Sequence, residues 1–293
     1  RKVKGFNKVE YLIINDGSAD DTVAVAKKCG VHHIVSYGRN RGLAYAFKRG
    51  IDECIRCGAD VIVNTDADNQ YNADDIPLLT APILRGEAEI VIGARPISDI
   101  GHFSPVKKIL QKLGSLAVRM FSNTTIADAP SGFRAFSRDA AMQLNVFNFY
   151  TYTLETIIQA GWKNIPMISV PIRVNKDLRP SRLVKSIPTY VKRSLFTIIR
   201  MYVVYRPFAF FLQLGILLIL AGCIPGIRFL YYYIIRSGSE GHVQSLILAA
   251  ILIGAGFQSI FAGFMVDLVS INRRMLEDVQ YSLKKIRYDN RAK

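Results

Sequence analysis

Two aspartates one residue apart, Asp66 and Asp68, follow the apolar run DVIVNT at residues 60–65 and precede Gln70. Carboxylates at i and i+2 across a turn converge on a hard divalent cation, and Gln70 can add a carbonyl oxygen. Mg²⁺ or Mn²⁺, held by one or two carboxylates and completed by substrate phosphates, takes this ligand set. The competing reading is an Asp-rich turn serving solubility, since Asp60, Asp74 and Asp75 lie close by. A second cluster, Asn15-Asp16-Gly17-Ser18-Ala19-Asp20-Asp21-Thr22, places a carboxylate, a turn glycine and a helix start behind another apolar run. That combination suits a base or ribose, although any strand-turn-helix connection uses the same residue types. Cys54 and Cys57 have no second pair at zinc spacing, and the four histidines show no ligand spacing.

Both clusters need a scaffold that ends strands at one edge. Val9–Asn15 reads as a buried strand, Ala19–Cys29 as a helix opened by a capping box at Ser18–Asp21, His33–Ser36 as a strand and Leu43–Cys57 as a helix. Asp60–Thr65 reads as a strand, residues 74–85 as helical and Glu89–Gly93 as a strand. Strands alternating with helices of this length predict an α/β domain with a mainly parallel sheet, over residues 1–175. Ligands of such sheets sit beyond the carboxyl ends of the strands. The abrupt opening, a basic stretch running into a buried strand, is read as a domain whose N-terminal βα unit is missing.

The chain carries a net charge of +15, yet half of its residues are hydrophobic. That excludes a disordered polycation, and four cysteines in 293 residues exclude a disulfide scaffold. Pro207 to Ile227 holds 21 residues without a charge, the apolar run resumes to Ile235, and Val243 to Val266 adds 24 more. About 20 apolar residues cross a bilayer core, so residues 207–268 are expected to hold two transmembrane helices, at about 207–235 and 243–266. Residues 176–206 carry eight basic residues against one acid, and the tail, 269–293, seven against three. The positive-inside rule then puts both flanks, and the catalytic domain, on the cytoplasmic face. Leu183–Tyr205 has the composition of a helix lying in the headgroup layer, which gives the basic excess a use without nucleic acid.

Asn-Asp-Gly-Ser-x-Asp-x-Thr, then Gly38–Ala44 with Gly50, then Asp-x-Asp-x-Gln, then Gly93-Ala94-Arg95, then Asp128-Ala129-Pro130-Ser131-Gly132-Phe133-Arg134 follow one another in this order. The series resembles the family 2 glycosyltransferases with a GT-A (Rossmann-like) nucleotide-sugar fold. Within them it is similar to the polyprenyl-phosphate glycosyltransferases, the group of dolichyl-phosphate mannose synthase and the bacterial undecaprenyl-phosphate sugar transferases. The resemblance covers Val9 to about Arg206. The first strand with its Pro-x-Tyr-Asn-Glu-Glu motif is absent, Asn15 stands where Asp is common, and Asn69 replaces a common Gly.

The resemblance implies that Asn15, Asp16 and Gly17 contact the nucleotide, and that Asp66, Asp68 and Gln70 hold the metal on the donor diphosphate, with Asp68 counted as catalytic. Arg179 and Arg182 would close over the diphosphate. Arg95 and Ser131 would lie near the acceptor phosphate, Arg134 beside them in support of the loop. Lys107, Lys108 and Lys112 either meet the lipid phosphate or form a solvated face. Asp128 either orients the acceptor or caps the Pro-Ser-Gly turn. The expected partners are a nucleotide sugar, a polyprenyl phosphate and the membrane, with no nucleic acid. A two-helix anchor commonly packs against copies of itself, which makes a homo-oligomer a further candidate. The expected activity is an inverting transfer of one sugar from a UDP or GDP donor to undecaprenyl or dolichyl phosphate. The rivals are a transferase of the same fold acting on a saccharide or lipid diphosphate, and an inactive membrane scaffold.

Overall fold

The computed structural model describes residues 3–96, 119, 124–147, 152–175, 187–235 and 242–289. They divide into two units, Arg1–Ile199 with Glu277–Lys293, and Arg200–Leu276. In the first unit Leu12–Asn15 (β1) and His33–Ser36 (β2) pair in parallel, joined by Thr22–Lys28 (α1). Leu43–Arg56 (α2) then leads to a four-stranded sheet in the order β3-β5-β4-β6, built from Val61–Asn64 (β3), Ile90–Ala94 (β4), Arg134–Ser137 (β5) and Met167–Pro171 (β6). The class is α/β, as expected. Strand β5 is an addition: it runs antiparallel to both β3 and β4, while β4 and β6 are parallel.

Alternation along the strands sorts side chains to two faces. Val91 of β4 and Ala135 of β5 join Leu79, Phe133 and Ile172 in the core beneath Ile76–Leu84 (α3). Phe136, one residue on, faces the other way and meets Phe47 of α2 edge-on at 5.8 Å. Phe47 in turn stacks on Tyr152 at 3.9 Å, at the start of Thr153–Trp162 (α5), while Arg138–Gln143 (α4) follows β5 directly. The expected capping box does not form. Helix α1 starts only at Thr22 with no side-chain cap, because the Asp20 carboxylate accepts from the Thr22 backbone and hydroxyl instead.

The second unit holds Pro207–Ile235 (α7) and Val243–Asp289 (α8) as far as Leu276; both helices are long and apolar enough to cross a membrane, with mean hydropathy of 2.3 and 2.0 over their best windows and only 17% of each window buried. Exposed Ile, Leu and Phe along both would be an aggregating patch in water, and a lipid surround would cover them. The helices touch through glycines. A Cβ at Gly215 would stand 2.5 Å from Ile260, and one at Gly256 2.6 Å from Ile219, so these positions let the two backbones approach closely. Ile187–Tyr205 (α6) ends beside α8, where Ser270 Oγ donates to the Val204 carbonyl at 3.2 Å and Arg274 to that of Tyr205 at 3.1 Å.

The helix that begins at Val243 runs on past residue 268. No glycine or proline interrupts residues 264–289, and α8 continues through them as one helix. Its segment from Glu277 on belongs to the first unit rather than forming a separate tail. Glu277 pairs with Lys163 at 3.0 Å, Tyr281 donates to Asp139, and Lys284 donates to the Met142 carbonyl at 3.4 Å and pairs with Asp52 at 3.8 Å.

Asp75 pins β6's exit to the turn before α3: its carboxylate accepts from the Arg173 backbone N–H at 2.7 Å and Nε at 2.8 Å. Burial alone would raise the Asp75 pKa, but the Arg173 hydrogen bonds and charge hold it below the usual carboxylate value. A depressed folded pKa stabilises above the unfolded value of about 3.9 and loses that contribution as pH falls through the folded one. Asp75→Asn should therefore melt a few degrees below the native protein at neutral pH, the gap closing below about pH 4. A gap that is constant with pH in thermal melts would contradict this origin.

Candidate active site

A strand antiparallel to its neighbours begins where they end. Thus β5 brings the loop 128–133 to the same edge as the carboxyl ends of β3 and β4, which carry Asp66, Asp68 and Arg95. At that edge Gly132 makes room for Asp66. A Cβ there would lie 2.4 Å from Asp66 Oδ2, so any side chain would displace the carboxylate. The Gly132 peptide is gripped on both sides. Its N–H donates to the Tyr71 hydroxyl at 3.0 Å, and its carbonyl accepts from Asn64 Nδ2 at 2.8 Å. The same Asn64 amide donates to the Tyr152 hydroxyl at 2.7 Å.

Burial, and then the Asp68 carboxylate, push the Asp66 pKa above its ordinary value, against the pull of Arg95 and Arg134. A largely desolvated carboxylate that also faces a second carboxylate is relieved by a divalent cation. Among the described residues no group of three or more His, Cys, Asp and Glu forms a metal cage. The donor chemistry fits an ion completed by substrate oxygens: Asp66 and Asp68 supply hard oxygens, and substrate phosphates would supply the rest. Asp68 Oδ1 accepts from the Gln70 backbone N–H at 3.0 Å, which closes the turn through Asn69. Asn69 sits at φ +60°, the left-handed conformation that Asn tolerates and Gly favours, so Asn serves there in glycine's place. Asn175 braces this turn: its N–H donates to the Gln70 carbonyl at 2.9 Å and its Nδ2 to the Asn69 and Tyr71 carbonyls at 3.0 and 3.2 Å.

Arg95 and Asp128 form a buried pair, with Nε and Nη2 of Arg95 at 2.7 and 3.0 Å from the carboxylate and side chains 7% and 1% exposed. The Asp128 carboxylate thus serves as the counter-ion that fixes the Arg95 guanidinium. Ser131 is also fully buried. Arg134 has no exposed surface, and its guanidinium donates to the carbonyls of Ser131, Ala129 and Thr153 at 2.7, 2.7 and 2.9 Å and to Thr156 Oγ1 at 2.7 Å. Burial works against its charge, and Asp128 and Asp66 are among the groups that support it. It lies beneath the loop 128–133 and ties that loop to the first turn of α5.

The β1 cluster forms a second locus. Asp16 accepts the backbone N–H groups of Arg41 and Gly42, both at 2.8 Å, at the start of α2. Gly17, at φ +75°, lies so close to the Arg39–Asn40 peptide that a Cβ would sit 2.6 Å from the Arg39 carbonyl carbon. Asn15 is buried and its Oδ1 accepts from the Ser18 N–H at 3.0 Å, so its amide closes the turn. Arg179, Arg182, Lys107, Lys108 and Lys112 lie outside the described residues. Asn64, Tyr71, Tyr152 and Asn175 escaped the sequence reading, because a strand-end amide and core tyrosines carry no spacing signal.

Residues 2–144 match glycosyl transferase family 2. The UDP-N-acetylglucosamine–dolichyl-phosphate N-acetylglucosaminyltransferase of Methanococcus voltae is 27% identical over 194 residues, 58% of this chain and 76% of that one. Glycosyltransferase AglJ of Haloferax volcanii is 24% identical over 288 residues, 94% of this chain and 89% of its own, a span that takes in both long apolar helices. Among solved structures, glucosyl-3-phosphoglycerate synthase from Mycobacterium tuberculosis superposes with a TM-score of 0.50 at 18% identity, covering 66% of this chain and 68% of that one, a likeness of fold.

The carbonyls gathered on Arg134 lose their donor together if it is replaced. Arg134→Met should destabilise the protein by about 3 kcal/mol or more, since buried unpaired acceptors cost ~1–3 kcal/mol each. Thermal unfolding would show it, and a variant that melts like the native protein would refute the scaffold role.

Proposed function

We propose, from the match of residues 2–144 to glycosyl transferase family 2, that the protein is an inverting, metal-dependent transferase moving one sugar from a UDP or GDP donor to a polyprenyl phosphate. The observation that carries the reading is the Asp66–Asp68 pair at a strand edge, backed by the buried cations Arg95 and Arg134, in a chain with two helices long and apolar enough to span a membrane. The basic flanks of those helices favour both ends, and the domain, on the cytoplasmic face. Relatives named for dolichyl-phosphate transfer support the acceptor class.

Asp66 and Asp68, with Gln70 close by, would hold Mg²⁺ or Mn²⁺, which when bound offsets charge on the departing diphosphate. Asp16 and its turn would shape the nucleotide end of the pocket, and Asn15 and Gly17 would set that turn. Arg179 and Arg182 would meet the diphosphate from the basic segment. Arg95, fixed in plane by Asp128, would present a preorganised guanidinium to the acceptor phosphate, with Ser131 and Arg134 shaping the loop below and Lys108 contributing charge. A lipid phosphate is already ionised at neutral pH, so its oxygen attacks the anomeric carbon without a general base, and Asp128 is not required to take a proton. Positioning and charge neutralisation carry the rate.

Transfer of radiolabelled sugar to undecaprenyl phosphate in detergent, with Mn²⁺ or Mg²⁺, should give an acid-labile monophosphodiester. Asp68→Ala should lower the rate by at least about a hundredfold, and retained activity would remove the metal assignment. Labelling only of a saccharide or lipid diphosphate in an acceptor panel would favour the other transferase reading. Absence of thermal stabilisation by UDP or GDP would favour a scaffold.

A further inference from the structure

Asp66 reaches its place from a turn, and a turn alone does not hold a carboxylate to a fraction of an ångström. What confines it is the Cα face of Gly132, so close that a Cβ there would stand 2.4 Å from Oδ2 and 3.0 Å from Oδ1. Gly132 lacks a side chain by which packing could locate it. Its peptide is located instead by two polar grips from β3 and the turn that follows: Asn64 on the carbonyl at 2.8 Å and the Tyr71 hydroxyl on the N–H at 3.0 Å. Both grips are themselves anchored. Asn64 uses its other amide hydrogen on Tyr152, whose ring stacks on Phe47 with planes 3° apart, and Tyr71 stacks on Phe133 at 5.2 Å.

We propose that Asn64 and Tyr71 are positioning residues that set the Asp66 carboxylate, and with it divalent-cation affinity, by clamping the Gly132 peptide from both sides. The inference rests on the reading of Asp66 as a metal ligand. Groups that orient metal ligands from behind typically alter affinity by about 10–100-fold when removed. Fixing a ligand through an intervening glycine peptide uses the same logic of preorganisation.

The test uses the full chain in detergent, with UDP and GDP titrated separately, each with Mn²⁺ and with EDTA. Tyr71→Phe keeps the stack on Phe133 and removes the hydroxyl that accepts from the Gly132 N–H and lies beside Ser131. Asn64→Leu removes both amide donors at similar volume. Each should weaken Mn²⁺-dependent nucleotide binding by about tenfold, while binding in EDTA stays near native; Tyr71→Phe, which leaves the buried Gly132 N–H without its acceptor, should also melt a few degrees lower. Equal weakening with and without Mn²⁺ would reveal a merely structural role and overturn the inference, as would unchanged Mn²⁺ dependence. Should Asn64→Leu fail to fold, Tyr71→Phe decides alone. Asp66→Ala separates the two levels. If it loses Mn²⁺-dependent binding and Tyr71→Phe does not, only the clamp fails; if it retains that binding, or neither nucleotide binds with Mn²⁺ in the native chain, the metal reading itself falls.

Discussion

A guanidinium with no exposed surface is the fixed point around which the candidate site is arranged. Moving a charge out of water is opposed by several kcal/mol even after relaxation, so Arg134 can exist where it does only if nearly every donor finds an acceptor. It finds them in the carbonyls of Ala129, Ser131 and Thr153 and the Thr156 hydroxyl. Meeting that demand curls the loop 128–132 around one atom group, ties it to the first turn of α5, and sets Gly132 against Asp66. The same buried charge tempers the repulsion between Asp66 and Asp68. Folding of the loop and part of the electrostatics expected of an anion-binding edge are therefore joined in one desolvated cation, with Arg95 as the second.

The strand tips were legible because apolar runs ending in Asp, Gly and Asn are hard to place elsewhere in an α/β domain. Asp16 and Asp66 do end strands β1 and β3, within a residue or two. Strand β5 was not legible. Four residues, RAFS, beginning with an arginine, carry no alternation strong enough to announce a strand, and only the buried partners of Arg134 and Phe136 make it one. The pairing of Arg95 with Asp128 was invisible for a related reason. Each residue suits a substrate-facing role on its own, and only three-dimensional proximity turns them into each other's counter-ion. The capping box failed because Asp20 found a nearer partner in Thr22, a local competition that sequence spacing cannot rank.

The apolar helices show the converse case. Long uncharged apolar runs announce themselves in a sequence, and helices run through both, Pro207–Ile235 and from Val243. Where α8 stops was not legible, since its later turns answer to particular side chains. Those turns alternate apolar and charged residues, and in the first unit Glu277, Tyr281 and Lys284 each find an acidic or basic partner. The glycines of α7 and α8 look like ordinary membrane-helix composition until their facing Ile219, Ile253 and Ile260 side chains are located.

The membership of Glu277–Lys293 in the first unit has a consequence for how the chain is made. Tyr281 and Asp139 are 142 positions apart, with the whole of the second unit between them in sequence. During translation, residues 1–199 leave the ribosome long before the helical segment that covers Asp52, Asp139 and Lys163. That face of the domain stays uncovered while both long apolar helices are being synthesised, and closes only afterwards. Closure of this kind, between residues so far apart in sequence, comes late in folding, after both long apolar helices have been made.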